Sequence, residues 1–448
     1  MGYKQSLKVK HEIIIVGGGV SGTALLYALS KYTDVRNIGL IEKYLSFGLV
    51  NSASTMNSQT LHFGDIETNC SLEKATRVKR SADMVMKYRE AGKDGDNSNK
   101  IFSKYSKMVL GIGREQVNVL KERFKSFSPL FPTLRMIGKE EIGKMEPRIL
   151  EGRNPEEELL ALVTDQGYTV DFGRLSHSFV NNARKENPEV SVYLSTRVER
   201  IIKEGDHFRI ITNKGEFEAS AVVVASGSHS LILAKSLGYG KSLSLLSIAG
   251  SFYTGPKILN GKVYTIQDPK LPFAAIHGDP EVHDENVTRF GPTAKPIFFL
   301  ERYNKSTFFE YWKTFGFSFK TFKSIWNITI DKVVSKYLLR NVIYDIPSIG
   351  KRKFLKEVKK IVPNIKLDEI KFARKIGGTR PQIVNNDTSK LEMGEAKIIG
   401  ENIIFNITPS PGASTCLGNA YEDTMTLMKF LDFKYKFNQE QFEKDLVL

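Results

Sequence analysis

With 448 residues and 41% hydrophobic content, the chain is long enough for two intertwined domains around a substantial core. Its formal net charge of +15 favours anionic partners, whether lipid, nucleic acid or acidic metabolite. Cys70 and Cys416 are the two cysteines and lie far apart, which argues against a disulfide framework and a zinc cluster and fits a reducing compartment; the seven scattered histidines lack metal-site spacing.

The first organised stretch is HEIIIVGGGVSGTALLYALSKYTDVRNIGLIE, from His11 to Glu42. Its apolar, β-branched run at 12–16 predicts a strand covered on both faces. Gly17, Gly19 and Gly22 then form G-x-G-x-x-G, which allows a tight turn, close approach to a pyrophosphate and close packing of the next helix. That helix is predicted over 21–31, with its amide-rich end towards the phosphates. A second strand at 37–41 ends in Glu42, twenty positions after Gly22, where a carboxylate can accept both hydroxyls of an adenosine ribose. The uncharged run 13–29 is too rich in glycine for a signal peptide and has no small-residue cleavage site. No other apolar run reaches about eighteen residues, so no membrane span is predicted.

After Glu42, SFGLVNSASTMNSQTLHFGD offers hydroxyl and amide donors in a loop placed to line the ligand. Residues 71–127 read as helical, interrupted by a Gly/Asp/Asn-rich turn at 92–99. A strand at 160–170 enters a helix beginning DFGRLSHSFVNNARK. Short strands follow at 190–194, 198–203, 208–212 and 217–219, and then a fully apolar strand at 221–225 closes on Ala225, Ser226 and Gly227. That ending is similar to the second flavin fingerprint, A-T-G, with serine for threonine, and points to FAD rather than NAD.

Residues 252–300 alternate short strands with Gly/Pro turns, as a substrate-domain sheet would. Residues 298–326 hold twelve aromatics, including Trp312 and Trp326, interleaved with Arg302, Lys305, Lys313, Lys320 and Lys323. That composition suits either a membrane-surface segment or core. Residues 403–431 read as strand, glycine-containing loop and helix, returning to the cofactor domain.

Together these motifs resemble the malate:quinone oxidoreductase family, a branch of the flavoprotein superfamily that includes D-amino-acid oxidase. The resemblance rests on VGGGVSGTAL from Val16, the loop from Asn57 to His62, TVDFGRLS from Thr169, PFAAIHGD from Pro272, RFGPTA from Arg289, GGTRPQI from Gly377 and SPGAST from Ser410. One departure is NSQTLH at 57–62, where better-known members carry NAGTGH. The resemblance implies an α/β (α+β overall) fold with a Rossmann-like FAD-binding domain built from 1–75, 160–235 and 370–448. A helical segment, 76–159, and a substrate- and membrane-facing domain, 236–369, would complete it. It implies non-covalent FAD, oxidation of (S)-malate to oxaloacetate, a quinone acceptor, and a peripheral place on the cytoplasmic face of an anionic membrane, or in the cytoplasm.

The residue chemistry runs parallel to that. Oxidising a hydroxy acid needs a cation for the carboxylate, a base for the hydroxyl proton and a two-electron acceptor. Arg380 suits the first as a planar bidentate donor, and His277 suits the second. His62 and Gln382 join Arg380 as expected substrate contacts, and Asn57, Ser226 and Gly227 join Gly17, Gly19, Gly22 and Glu42 as cofactor contacts. Amides of Gly412, Ala413, Ser414 and Thr415, heading the last helix, would face the electron-rich edge of the flavin. No metal site and no nucleic acid are expected. Two other readings remain open: an FAD enzyme for a different 2-hydroxy or amino acid such as L-2-hydroxyglutarate, and a flavoprotein that is non-catalytic or acts on nucleic acid.

Overall fold

The computed structural model describes residues 9–92, 101–267, 275–315, 319–392, 396–407 and 411–447. The turn at 92–99 beyond Gly92, residues 272–274 of the PFAAIHGD motif, and Ser410 lie outside them.

Three sheets organise the chain. The first runs Ala396–Gly400, Ile403–Ile407, Gly215–Val224, Val9–Val16, Ile38–Ile41, Ser191–Tyr193, with the hairpin Val198–Glu204 and His207–Thr212 attached to Gly215–Val224. Val9–Val16 pairs in parallel with Ile38–Ile41 on one side and Gly215–Val224 on the other. Ile13, Ile14 and Ile15 are fully buried because both faces are covered, which is why the strand does not alternate. The helix Val20–Tyr32 packs between Phe172–Glu186 and Cys416–Phe430. Together with the parallel strands these helices make the expected Rossmann-like layer.

The second sheet is a small antiparallel one in which Leu243–Ala249 pairs with Thr379–Asn385, Ile248 opposite Arg380. The third has eight strands, in the order Lys371–Phe372, Tyr253–Pro256, Val287–Gly291, His277–Pro280, Lys262–Thr265, Phe102–Ile112, Leu159–Val170, Arg135–Gly138.

Several boundaries differ from the sequence reading. The stretch expected to be helical over 71–127 is divided by the strand Phe102–Ile112, flanked by helices Leu72–Glu90 and Gly113–Phe127. Its pattern is poor as a strand signal, and pairing decides it: Leu159–Val170 lies antiparallel on one side and Lys262–Thr265 parallel on the other. Through that pairing, Leu159–Val170 joins the third sheet rather than the nucleotide sheet, and Thr379–Asn385 joins the second. The segments read as separate strands at 217–219 and 221–225 are one strand, Gly215–Val224. The helix Cys416–Phe430 is not the last, since Gln439–Leu446 follows it.

The aromatic-rich stretch falls into two parts. Tyr311 and Phe315 are buried, and half-buried Trp312 stacks on Phe298 at 5.7 Å. In the helix Phe319–Ile330, by contrast, Trp326 is 67% exposed and Phe322 is exposed beside it. Among the described residues, no helix is long and apolar enough to cross a membrane.

Candidate active site

A cavity of about 590 Å³ runs from the glycine loop to the start of Cys416–Phe430. At one end it is lined by Gly17, Gly19, Glu42 and residues 196–199, and at the other by Asn57, His62, Arg380 and Gly412 to Ser414, with Ser226 and Gly227 along its side. A second cavity of about 40 Å³ adjoins it and shares Ser58, His62 and Arg380 with it.

The glycines are required by contact. At Gly17 (φ +118°) a Cβ would sit 2.4 Å from the Ala225 oxygen, and at Gly22 it would sit 2.0 Å from the Gly17 oxygen. Gly17 thus lets the two parallel strand ends meet, and Gly22 lets the helix close on the turn. Only Gly17 and Gly19 of the three face the cavity. The Ser52 hydroxyl accepts from the Val20 amide at 3.0 Å and so caps the helix where sequence showed only a polar loop. Glu42 accepts from the amides of Gly18 (2.6 Å) and Tyr44 (2.8 Å), while burial pushes its carboxyl above the usual range.

Asn57 has a structural part. Its amide donates to the carbonyls of Asn51 and Ala53, both at 2.9 Å, and its oxygen accepts from the Gln59 amide at 2.7 Å. The loop is therefore shaped by its own side chains. It is further pinned by the Val170 amide, which donates to the Gln59 oxygen at 2.6 Å, in the motif beginning at Thr169. Gln59, at the departure from the family pattern, takes φ +57° and donates to Glu281 at 2.5 Å.

Arg380 reaches the cavity because Gly377 and Gly378 touch that loop directly: a Cβ on Gly378 would lie 2.0 Å from the Met56 oxygen. The Gly377 amide donates to the Thr55 oxygen at 2.6 Å. Among the described residues no carboxylate pairs with Arg380, and burial lowers its pKa with only Tyr337 and Tyr264 opposing. Half-buried and without a counter-charge among these residues, the guanidinium is free to take a charge-assisted, two-bond contact from an anion. Gln382, two residues on, is buried but lines neither cavity.

The two expected histidines differ in kind. His277 is stacked on Tyr264, with centroids 4.3 Å apart, and faces only the smaller cavity. Its Nδ1 lies 3.0 Å from the Ala275 carbonyl oxygen, and its Nε2 lies 3.0 Å from Asp279 Oδ2, close enough to pair electrostatically though not aligned for a hydrogen bond. Both nitrogens thus lie near oxygen atoms. Burial would raise the Asp279 carboxyl, but His277, Lys262 and Arg289 hold it down at about 2.

At the Gly412–Thr415 turn, the Ser414 hydroxyl accepts from the His62 amide at 2.9 Å, joining the last part of the chain to the loop at 57–62. Thr415 lies behind the lining residues and donates to the Gly412 oxygen at 3.2 Å. Across the mouth at the Glu42 end, Lys43 pairs with Glu301, and His229 meets Glu310 at 3.1 Å with Arg197 beside it. These bridges join chain segments over 80 residues apart, and no local motif announced them.

The cavity fits a flavin dinucleotide. Glycine backbone faces it where a pyrophosphate would lie, a carboxylate stands at the ribose end, and Arg380, without a carboxylate partner among the described residues, stands at the other. In comparisons with known proteins, the family described as malate:quinone oxidoreductase (Mqo) matches residues 9–446. The chain is 40% identical to the probable malate:quinone oxidoreductase of Campylobacter jejuni, over 97% of this chain and 99% of that one. It is 38% identical to the malate:quinone oxidoreductase of Helicobacter pylori strain 26695, over 98% of each. Its fold is shared with the L-alpha-glycerophosphate oxidase of Mycoplasma pneumoniae, solved with FAD bound (TM-score 0.65, 18% identity, 96% of each chain), and with glycine oxidase of Geobacillus kaustophilus (TM-score 0.64, 17% identity, 94% and 95%). On the glycine cradle, the Arg380 strand and these full-length matches, the chain belongs to the malate:quinone oxidoreductase family.

Proposed function

We propose that the protein oxidises (S)-malate to oxaloacetate at an FAD held without a covalent bond and delivers the electrons to a membrane quinone. The observation that carries the reading is Arg380, a half-buried guanidinium with no carboxylate partner among the described residues, at the junction of both cavities. Such a group binds a 2-hydroxy acid by its carboxylate and orients the carbinol carbon. FAD, when bound, supplies a two-electron acceptor for the hydrogen on that carbon. Gly17, Gly19 and the start of the helix Val20–Tyr32 would hold its pyrophosphate, Glu42 its ribose, and the turn Gly412 to Ser414 its polar ring edge. In this division of labour the nucleotide sheet holds cofactor, while the second and third sheets hold substrate.

Quinone access calls for a lipid-facing surface. Phe322, Trp326, Ile330, Leu339 and Ile349 are exposed on or next to the helices Phe319–Ile330, Lys332–Tyr344 and Ile349–Ile361, of which the middle one packs on both others. Lys323, Lys332, Lys336, Arg352, Lys353 and Lys356 are exposed on the same helices. Apolar side chains beside lysines and arginines suit peripheral binding to anionic lipid.

Anaerobic bleaching of the yellow protein by malate, compared with lactate, 2-hydroxyglutarate and amino acids, tests the substrate. Ubiquinone or menaquinone analogues then test reoxidation, and acid release of intact FAD tests non-covalent binding. Bleaching by an amino acid but not by malate overturns the reading.

A further inference from the structure

Beneath the junction of the two cavities lies a charged cluster to which neither cofactor nor carboxylate binding gives a part. Its outermost member is His62, which lines both cavities. The Nδ1 of His62 is 2.6 Å from Glu67 Oε1. An ionised carboxylate can only accept, so Nδ1 carries a proton, and in the neutral ring Nε2 is then the bare nitrogen. Among the described residues no protein group bonds Nε2. His277, with an oxygen against each nitrogen, is the opposite case.

The support under His62 is rigid and charged. Glu67 lies in a loop whose carbonyls are gathered by one buried side chain: Arg123 donates to the oxygens of Glu67 (2.8 Å), Gly64 and Asp65 (3.1 Å each) and Cys70 (3.2 Å). Lys107, fully buried, pairs with Asp65 at 2.7 Å. Burial opposes ionisation of Glu67, but the charge of Lys107 and the bond from His62 keep its carboxyl well below the usual range. An ionised carboxylate fixed behind an imidazole holds one tautomer and favours the imidazolium that forms when the other nitrogen takes a proton. The other oxygen of Glu67, Oε2, is buried with no hydrogen-bond partner among the described residues, and Glu67 also lines the smaller cavity, which has room for about three waters at roughly 10–15 Å³ each.

From this we infer that His62, positioned by Glu67, accepts the hydroxyl proton of the substrate, and that the smaller cavity is where that proton leaves. The inference rests on the oxidation of a 2-hydroxy acid proposed above. The carbinol O–H bond breaks and its proton goes to Nε2 of His62. The C–H hydrogen departs with its electron pair to the two-electron acceptor, and the C=O bond of the oxo acid forms. Arg380 holds the carboxylate on the far side of the same junction. Glu67 acts through His62 and is a positioning residue.

Stopped-flow bleaching of the FAD-loaded protein by malate, over pH 5 to 9, tests this. His62→Gln is expected to slow bleaching about 100-fold or more with malate binding changed less than threefold, since base catalysis is worth roughly 10²–10⁴. In His62→Ala, added imidazole should restore part of the rate. Glu67→Gln should slow bleaching about tenfold and displace the pH profile, where a merely structural residue would leave its shape alone. Independently of turnover, histidine-selective ¹⁵N NMR of the holoprotein, assigned by the signals lost in His62→Gln, should show Nδ1 protonated and Nε2 bare at neutral pH, with that preference lost in Glu67→Gln. A His62→Gln rate within threefold of the parent with the same pH profile overturns the inference, as does a protonated Nε2 in the NMR. So does a loss of the pH dependence on His277→Gln alone. Failure of malate to bleach the unaltered protein would instead overturn the substrate reading, and the NMR result would stand apart from it.

Discussion

The guanidinium of Arg289 donates from Nη2 to the carbonyl oxygen of Asn57 at 2.8 Å, with its plane over the Phe252 ring at 4.3 Å. The arginine of the R-F-G-P motif is thus a clamp on the loop that faces the cofactor cavity, carried there by the third sheet. It is 1% exposed. Arg289→Ala leaves that carbonyl and Glu281 without this cation and removes one of the positive groups around Asp279, and it is expected to destabilise the fold by about 3–5 kcal/mol, the range for breaking a buried pair. Thermal unfolding with and without added FAD checks this. A melting temperature unchanged in both would show that the clamp carries no stability.

Arg380→Lys should raise the KM for malate by about 10- to 100-fold, because each hydrogen bond to a charged group is worth roughly 1.5–3 kcal/mol and a point charge cannot reproduce a planar two-bond grip. FAD affinity should stay close to that of the parent. Steady-state kinetics with a soluble quinone analogue provide the measurement, and unchanged kinetics would remove Arg380 from the site.

The bridge across the cavity mouth should depend on acid. The hydrogen bond from His229, reinforced by the charges of His229, Arg197 and Lys43 and opposed by burial, holds the Glu310 carboxyl at about 2 against an ordinary 4.5. A depressed carboxyl contributes its stabilisation in full above the unfolded value and loses it as pH falls through the folded one. The contribution should therefore be complete above about pH 4.5 and fade towards about pH 2. FAD release rates measured between pH 7 and pH 3 should rise on acidification in the parent and start higher in Glu310→Gln. Identical rates in the two proteins would show that the bridge does not retain the cofactor.

Phe322→Ser with Trp326→Ser should weaken sedimentation with anionic liposomes, most visibly at high salt, where the contribution of the lysines is screened and each basic residue no longer adds its roughly 1 kcal/mol. Malate bleaching of the flavin should be unaffected, since neither residue lines a cavity. Undiminished binding by the folded double variant would move the lipid-facing surface elsewhere. Trp312 is a poor choice for this test, because it packs against Phe298 and Phe315.

Much of the nucleotide half was legible as residues in order. The strand, G-x-G-x-x-G, helix and Glu42 are read from contacts that close within about thirty positions, where a φ of +118° at Gly17 leaves little choice of residue. The strand Phe102–Ile112 was not legible, because its partners lie 47 to 68 and 155 positions away and its own pattern is ambiguous between helix and strand. Nor was the part played by Asn57, whose side chain turns back on its own loop.

The sequence by itself determined which candidate groups the chain offers: glycine backbone suited to a dinucleotide, a carboxylate suited to its ribose, and an arginine in G-G-T-R, whose glycines admit no side chain against Gly250 and Met56. Only the tertiary structure decided what surrounds each histidine. His62 and His277 are the same residue type, and the difference lies in what faces each ring: Glu67 against one nitrogen of His62, and Ala275 and Asp279 against both nitrogens of His277. Tautomer and proton affinity belong to the surroundings, and those surroundings are assembled from loops and sheets far apart in the chain.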